Sequence, residues 1–369
     1  MDKEILKALD VLKENNPYAC FLNENTLSTV DKWIDTGSYV LNAIISGNIK
    51  GGGIPSGRVT LLYAESQCGK SLFVQKILAN AQKDGLTPII FDSENAIEKG
   101  GAKNLGLDPE KTMYVPIFNV EECRNSVHRF LKNVVEKGLQ GKFIVAIDSL
   151  ANLKSTMQNN RIEKDSTSTD MGTRARAIRE LLVDVTEWAA KSKTAVVITN
   201  HVYDDPNEMH PSLVKKTTGG KSLIFIPSVS VQLSRKPIKE DELKTEGGKT
   251  AALQKNYVGI LLRALMAKNR FIKQYLQGEI YLSFETGVNK YYGLLDLAVG
   301  LGVIEQNGPT YSFLGEKIGY AKNFSNNKEF WETKVIPILQ ERIDEEWKYS
   351  SRELQQIEQE EQELLSNQE

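Results

Sequence analysis

The sequence predicts an α/β fold with a central, mostly parallel sheet, a short N-terminal helical segment and a small α+β C-terminal unit. Three observations carry this. Apolar strands that end in acids, residues 87–94 and 142–149, alternate with helical stretches, the pattern of a parallel sheet covered on both faces. The stretch Leu61-Leu62-Tyr63-Ala64-Glu65-Ser66-Gln67-Cys68-Gly69-Lys70-Ser71 reads as a buried strand, a tight loop and a helix start. Its last three residues have the form of a phosphate-binding P-loop, although Ala64 stands where that pattern has Gly.

The bulk numbers bound the rest. With 369 residues, 40% hydrophobic and 25% charged, the chain supports one large globular domain plus smaller appendages. No apolar run approaches the ~18 residues of a membrane span, so no membrane association is expected. The start, Met1-Asp2-Lys3-Glu4, lacks a signal-peptide pattern. Three cysteines at unrelated spacings suggest neither a disulfide framework nor a zinc site, which points to a reducing, cytoplasmic compartment. The formal net charge of −2 is unevenly spread: ten acidic and three basic residues follow position 340, leaving +5 on residues 1–340. A mildly basic body with an acidic tail suits a DNA-binding protein that screens itself, and equally a solvated tail.

In chain order, residues 2–15 read as an amphipathic helix with Ile5, Leu6, Leu9 and Leu12 on one face. Residues 39–45 form another short helix, and residues 51–57 are a turn-rich approach to the P-loop strand. Residues 113–117 are a strand, 121–137 a helix, 171–191 a helix and 195–200 a strand. Two long polar loops interrupt this order, 155–169 and 202–218, and loops of that length are uncommon unless functional. Strands at 228–234 and 257–267 flank a polar hairpin around Gly247-Gly248, and 279–284 is the last core strand. A helix over 291–301 opens the C-terminal unit, which includes residues 311–317 and a helix around 331–347.

The chemistry gathers at the carboxyl ends of the strands, where ligands of such sheets bind. Backbone N–H groups of Glu65, Ser66, Gln67, Cys68 and Gly69 would cradle phosphate at the helix N-terminus. Lys70 would reach the outer phosphates of ATP, and the Ser71 hydroxyl would ligate Mg²⁺. Asp148 fits the acid that holds Mg²⁺ through water, and Glu94 a general base that orients the attacking water. His201, delivered to the same edge, fits a γ-phosphate sensor. Arg174, Arg176 and Arg179 open a helix where basic residues oppose the dipole, so an anion is expected there. Gly219-Gly220-Lys221 again offers free N–H groups to phosphate. Cys68, near a helix N-terminus and Lys70, is expected to have a lowered pKa and a nucleotide-shielded thiolate; the alternative is an inert buried thiol.

These pieces, in this order over residues 30–335, resemble a RecA-family recombinase, with the bacteriophage-encoded branch the nearest impression. Asp35-Thr36-Gly37-Ser38 resembles the family's approach segment, Phe91-Asp92-Ser93-Glu94 its catalytic glutamate and Ile147-Asp148-Ser149 its Mg²⁺-linked aspartate. The resemblance implies DNA contact at Met171, Gly172 and Arg176 in the first loop, and at the Thr217-Thr218-Gly219-Gly220 end of the second. It implies that Lys268 and Arg270 reach a neighbour's ATP across a filament interface. Gly315-Glu316-Lys317-Ile318-Gly319 resembles a C-terminal-domain motif.

There are departures. His201 replaces the usual amide, and Gly101 stands where an aromatic often stacks on adenine, leaving Glu98 to accept from the adenine amino group. The second loop carries Asp204, Asp205 and Glu208.

The implied organisation is an N-terminal polymerisation segment (1–30), a RecA-like ATPase core with two DNA loops (31–287), a small C-terminal domain (288–348) and an acidic tail (349–369). The implied function is a DNA-dependent ATPase that forms a helical filament on single-stranded DNA and exchanges homologous strands with double-stranded DNA. Its implied cofactors are ATP and Mg²⁺. The implied partners are further copies of the chain, a loading mediator and a single-strand binding protein. The alternative is a hexameric replicative helicase, which shares the core; the short N-terminal region speaks against its collar domain.

Overall fold

The computed structural model describes residues 3–158, 172–203, 213–220, 222–239 and 257–348. The expectations for Met171, Lys221, the loop tip at 204–212, the hairpin around Gly247 and the tail at 349–369 lie outside the described residues.

The strands, in chain order, are β1 (Trp33–Ile34), β2 (Ile54–Pro55), β3 (Val59–Ala64), β4 (Thr87–Asp92), β5 (Met113–Pro116), β6 (Phe143–Asp148), β7 (Ala195–Tyr203), β8 (Lys216–Thr217), β9 (Val229–Lys239), β10 (Tyr257–Asn269), β11 (Gln277–Ser283) and β12 (Gly287–Val288). One large sheet runs in the order β5-β4-β6-β7-β3-β9-β10-β11-β12. From β5 to β9 all pairings are parallel, and β10 to β12 extend the sheet antiparallel. The parallel part explains the apolar runs. All six residues of β3 are buried, Val59, Leu61 and Tyr63 in one core layer and Leu62 and Ala64 in the other.

Helices cover both faces. On one side lie α2 (Tyr39–Ser46) and α3 (Lys70–Lys83), the helix that follows the P-loop. The N-terminal helix, α1 (Lys3–Asn15), precedes them, and α4 (Lys99–Asn104) follows β4. On the other side α5 (Val120–Glu136) packs beside α6 (Thr173–Ser192). Ile178, Leu181, Leu182, Val185 and Ala189 give α6 its buried stripe. Ser38 caps α2 by accepting from Leu41 N at 3.4 Å.

Three boundaries differ from the expectation. β9 and β10 run on to Lys239 and Asn269, because they pair with each other as a long antiparallel ribbon with a bulge between Met266 and Lys268. The helix expected from residue 291 starts at Leu294. Asn289 Oδ1 accepts from the backbone of Tyr291 (3.0 Å) and Tyr292 (3.2 Å), holding a turn that competes with the first helical bonds. The region around 311–317 is a three-stranded antiparallel sheet, Ile304–Asn307, Thr310–Phe313 and Glu316–Tyr320.

That small sheet and the helix Ile336–Trp347 pack onto the core through Phe313, Phe324, Trp331, Leu339 and Ile343. A polar clasp reinforces the junction. Glu332 accepts from Tyr39 Oη (2.6 Å) and Tyr291 Oη (2.7 Å) and pairs with Lys50. Burial opposes the Glu332 charge, but these three partners outweigh it and hold the carboxyl down at about 2.

On α1, Ile5 and Leu12 of the expected apolar face are exposed and Leu9 is half-buried.

Candidate active site

The site grows from the end of β3. After Ala64 the chain turns through Gln67 (φ 60°) and Gly69 (φ 74°) into α3. Both are left-handed conformations, which Gly takes freely and Gln at a cost, so contacts must hold the loop. Arg235, on β9, donates to Gln67 O at 2.6 Å. Lys70 donates to Glu65 O (2.8 Å) and Ala64 O (3.3 Å), parking its ammonium on the backbone of the loop it follows. Burial lowers the Lys70 pKa, and the charges of Asp148 and Glu94 oppose that.

Parallel register brings the acids alongside. Asp92 pairs with Asp148 across β4 and β6, and Ala64 with His201 across β3 and β7. Asp148 is buried, accepts from Thr199 Oγ1 at 2.5 Å and is hydrogen-bonded to Ser71. Burial raises its pKa, and the charges of Glu94 and Asp92 add to the rise. Asp92 organises the next turn. Its Oδ1 accepts from the backbone N of Glu94 (2.8 Å) and Asn95 (2.9 Å). Glu94 Oε1 then accepts from Ser149 Oγ at 2.7 Å and lies 3.3 Å from His201 Nε2. Burial opposes its charge, but Ser149, His201 and Lys70 prevail and lower its pKa, which favours the carboxylate. His201 Nδ1 lies 3.2 Å from Ser66 Oγ. A proton on Nε2 lets the ring donate to Glu94 and accept from Ser66.

His201 is also fastened to the second loop. Its carbonyl accepts from Thr218 N at 3.1 Å, and Asn200 Nδ2 donates to Thr218 O at 2.8 Å. β8 pairs antiparallel with the end of β7, so the loop returns directly onto the strand that carries the histidine. Gly219 (φ 107°) follows, and a Cβ there would come within 2.7 Å of Leu223 and 2.8 Å of Ile178.

The structure therefore brings together Glu65, Ser66, Gln67, Cys68, Gly69, Lys70, Ser71, Glu94, Asp148 and His201. It does not bring Lys268 and Arg270 to them. Lys268 is in register with Ser230 and Ser230 with Leu61, and Asn269 with Val229 and Val229 with Thr60, so these cations sit beside the first half of β3, two strands over and about 10–13 Å of strand before its end. Lys268 donates to Pro227 O at 2.7 Å and to Phe225 O. Burial and the Arg270 charge push its pKa down to about 8. Arg58 is there too, its pKa lowered by burial and by Arg270.

Arg174 is turned inward. Its Nε donates to the Leu153 carbonyl (2.8 Å) and its Nη2 to those of Leu150 and Ala151 (2.7 Å each), so this edge of the guanidinium is committed to the chain itself. Arg176 points out, 83% exposed, with Glu180 Oε1 at 3.2 Å. Glu98 is exposed at the start of α4, on the rim of an apolar cavity of about 320 Å³ lined by Ile97, Ala102, Leu107 and Tyr114. Cys68 corrects an expectation. Its thiol is buried, and burial raises its pKa against the pull of Lys70 and Arg235.

Sequence reasoning missed Asp92, Ser149, Thr199, Lys215 and Arg235. Asp92 and Ser149 had a signal, each adjoining a strand-end acid. Arg235 lies mid-strand with nothing to mark it.

Fold and site together define a P-loop fold built on a mostly parallel sheet. The sequence profile of the RecA N-terminal domain matches residues 18–289, and the chain belongs to the RecA family. Similar proteins include Protein RecA of Leptospira biflexa serovar Patoc, 29% identical over 278 residues, 75% of this chain and 66% of that protein. Protein RecA of Streptomyces rimosus is 27% identical over 276 residues, 75% of this chain and 68% of that one. Protein RecA of Mycoplasma genitalium is 26% identical over 331 residues, 87% of this chain and 88% of that one. The chain spans 66% of the length of the Leptospira relative. Among the described residues no helix is long and apolar enough to cross a membrane.

Proposed function

We propose that the chain is an ATP-driven DNA recombinase that assembles head to tail on single-stranded DNA and pairs it with double-stranded DNA. The observation that carries this is the bond between nucleotide sensor and second loop. His201 touches Glu94 with its ring and Thr218 with its backbone, so a change at the phosphates is felt where the loop returns.

The residues fit ATP and Mg²⁺. The Ser71 hydroxyl and the buried Asp148 carboxylate are hard oxygen donors, and a cation there would relieve the repulsion among Asp148, Glu94 and Asp92. When bound, Mg²⁺ supplies charge neutralisation at the phosphates. Lys70 leaves its backbone carbonyls for the outer phosphates, Glu94 orients the attacking water, and His201 holds Glu94 in place. Lys268 and Arg270 act on a neighbour's nucleotide, because their own P-loop lies past the far end of β3. Exposed Ile5 and Leu12 of α1 support a role for residues 1–30 in joining subunits.

Backbone contacts through Gly172, Arg176, Gly219 and Gly220, with Met171 and Lys221 beside them, would make DNA binding sequence-tolerant and salt-sensitive. Arg174 would serve that surface from behind by fixing residues 150–153. Glu98 is kept as an acceptor for the adenine amino group. His201 and Gly101 depart from the family pattern, and placement in the bacteriophage-encoded branch is part of this proposal. Action in the cytoplasm, with a loading mediator and a single-strand binding protein, goes with that placement.

Electron microscopy with single-stranded DNA and a slowly hydrolysed ATP analogue tests the reading. An open filament is expected, and a closed six-fold ring would overturn it in favour of a helicase.

A further inference from the structure

Glu65, the second position of the P-loop, carries a carboxylate beside a loop that can cradle anions, and that carboxylate is paired. Lys215 Nζ lies 2.7 Å from Glu65 Oε1. Lys215 comes from the returning arm of the second loop. Gln232 on β9 fixes that arm, accepting from Lys215 N at 2.7 Å and donating to Leu213 O at 3.4 Å. Gln232 is the register partner of Tyr63, so Lys215 enters directly above the end of β3. Two ammonium groups thus rest on one residue: Lys70 on the Glu65 carbonyl and Lys215 on the Glu65 carboxylate.

The side chains of Lys215 and Glu65 are 33% and 57% exposed, and ion pairs this open are weak. Both carboxylate and phosphate give a lysine a charge-assisted bond, but a terminal phosphate carries about two negative charges to the carboxylate's one. A nucleotide phosphate arriving at the loop therefore outcompetes the carboxylate for the lysine, as it outcompetes the carbonyls for Lys70. Arg235 braces the loop through Gln67 O.

We propose that Lys215 binds the outer phosphate of a nucleoside triphosphate held in its own chain's P-loop, and that Glu65 is a resting partner it leaves to do so. This rests on the reading of the P-loop as an ATP site. Lys215 immediately precedes β8, and β8 pairs with the strand that carries His201. Its transfer from carboxylate to phosphate shifts the base of the second loop by the difference between the two positions. The P-loop then addresses that loop by a second route, independent of the histidine ring.

The test is equilibrium binding of fluorescent ADP and a fluorescent non-hydrolysable ATP analogue, each with Mg²⁺, to the full chain without DNA. Lys215→Gln is expected to weaken the triphosphate by about 10-fold and to change the diphosphate less than about 2-fold. Glu65→Gln removes the competitor and is expected to tighten the triphosphate several-fold. The double variant should behave as Lys215→Gln alone, because the Glu65 effect acts through the lysine.

If the pair were only a structural strut, both single variants would move both nucleotides in the same direction, and that result overturns the proposal. An unchanged triphosphate-to-diphosphate ratio in Lys215→Gln also overturns it. Glu65 is exposed, so its variant keeps the test decisive should the lysine variant be destabilised. Failure of the unaltered chain to bind either nucleotide would instead bring down the ATP-site reading itself.

Discussion

Lys268 and Arg270 cannot serve the P-loop of their own chain. They lie about 10–13 Å along the strand from the end of β3 and two strand spacings, about 10 Å, to its side, and Lys268 is turned to the Phe225 and Pro227 carbonyls. If they act at all, they act on a neighbour, and the arrangement predicts the yield of a mixing experiment. One subunit type carries Lys70→Ala and is dead at its P-loop. The other carries Lys268→Ala with Arg270→Ala and is dead at its cations. Neither alone should hydrolyse ATP on single-stranded DNA. In a random filament, a junction works only where an intact P-loop meets intact cations in the right order. At equal amounts this occurs at about a quarter of junctions, for a head-to-tail interface of one polarity. DNA-dependent ATPase measured across mixing ratios should follow a parabola with its maximum near the equal mixture. Cation action within the chain gives no recovery at any ratio, since every subunit then lacks one half. A flat zero across ratios, with both variants still binding DNA, refutes the assignment.

Four further outcomes follow from the same geometry. Glu94→Gln should retain nucleotide and DNA binding while turnover falls by ~10²-fold or more, the scale of a lost general base; single-turnover hydrolysis reads this, and near-normal rates would remove Glu94 from the mechanism. Glu332→Gln should destabilise the chain by roughly 1–3 kcal/mol at neutral pH through its hydrogen bonds to Tyr39 and Tyr291. The folded carboxyl sits near 2, below its unfolded value, so this difference should be full above about pH 5 and fade as pH falls towards 2; thermal melts across that window check it. Cys68 should alkylate slowly with or without ATP, because burial holds it as a neutral thiol, whereas exposed Cys20 should react readily; peptide mass spectrometry after a timed pulse distinguishes them. Truncation after residue 348 removes acidic charge, so it should tighten DNA binding most at low salt, where the Debye length is long; equal affinities across a salt titration would leave the tail no electrostatic part.

Much of the site was legible in the sequence because its parts sit at strand ends. A parallel sheet sends every strand's carboxyl end to one edge. An acid closing an apolar run, as in Ile147-Asp148, therefore announces both a boundary and a position. The P-loop was legible despite Ala64 because Gly69-Lys70-Ser71 carries the turn and the cation, and β3 ahead of it is buried throughout. What the sequence could not show was occupancy. Arg174 and Arg176 look alike as letters two residues apart on a helix. That spacing puts them on different sides, and only the carbonyls at 150, 151 and 153 decide that Arg174 turns inward. Cys68 misled for a related reason. Its neighbours in sequence, Gly69 and Lys70, argue for a thiolate, but Lys70 is held by Ala64 and Glu65, and burial outweighs the nearby charges. In each case the local rule was sound and a tertiary partner overrode it. The same consideration explains why Lys215 went unnoticed. A lysine in a polar loop reads as solvated until the register of β3 and β9 brings Gln232 beneath it and Glu65 within 2.7 Å.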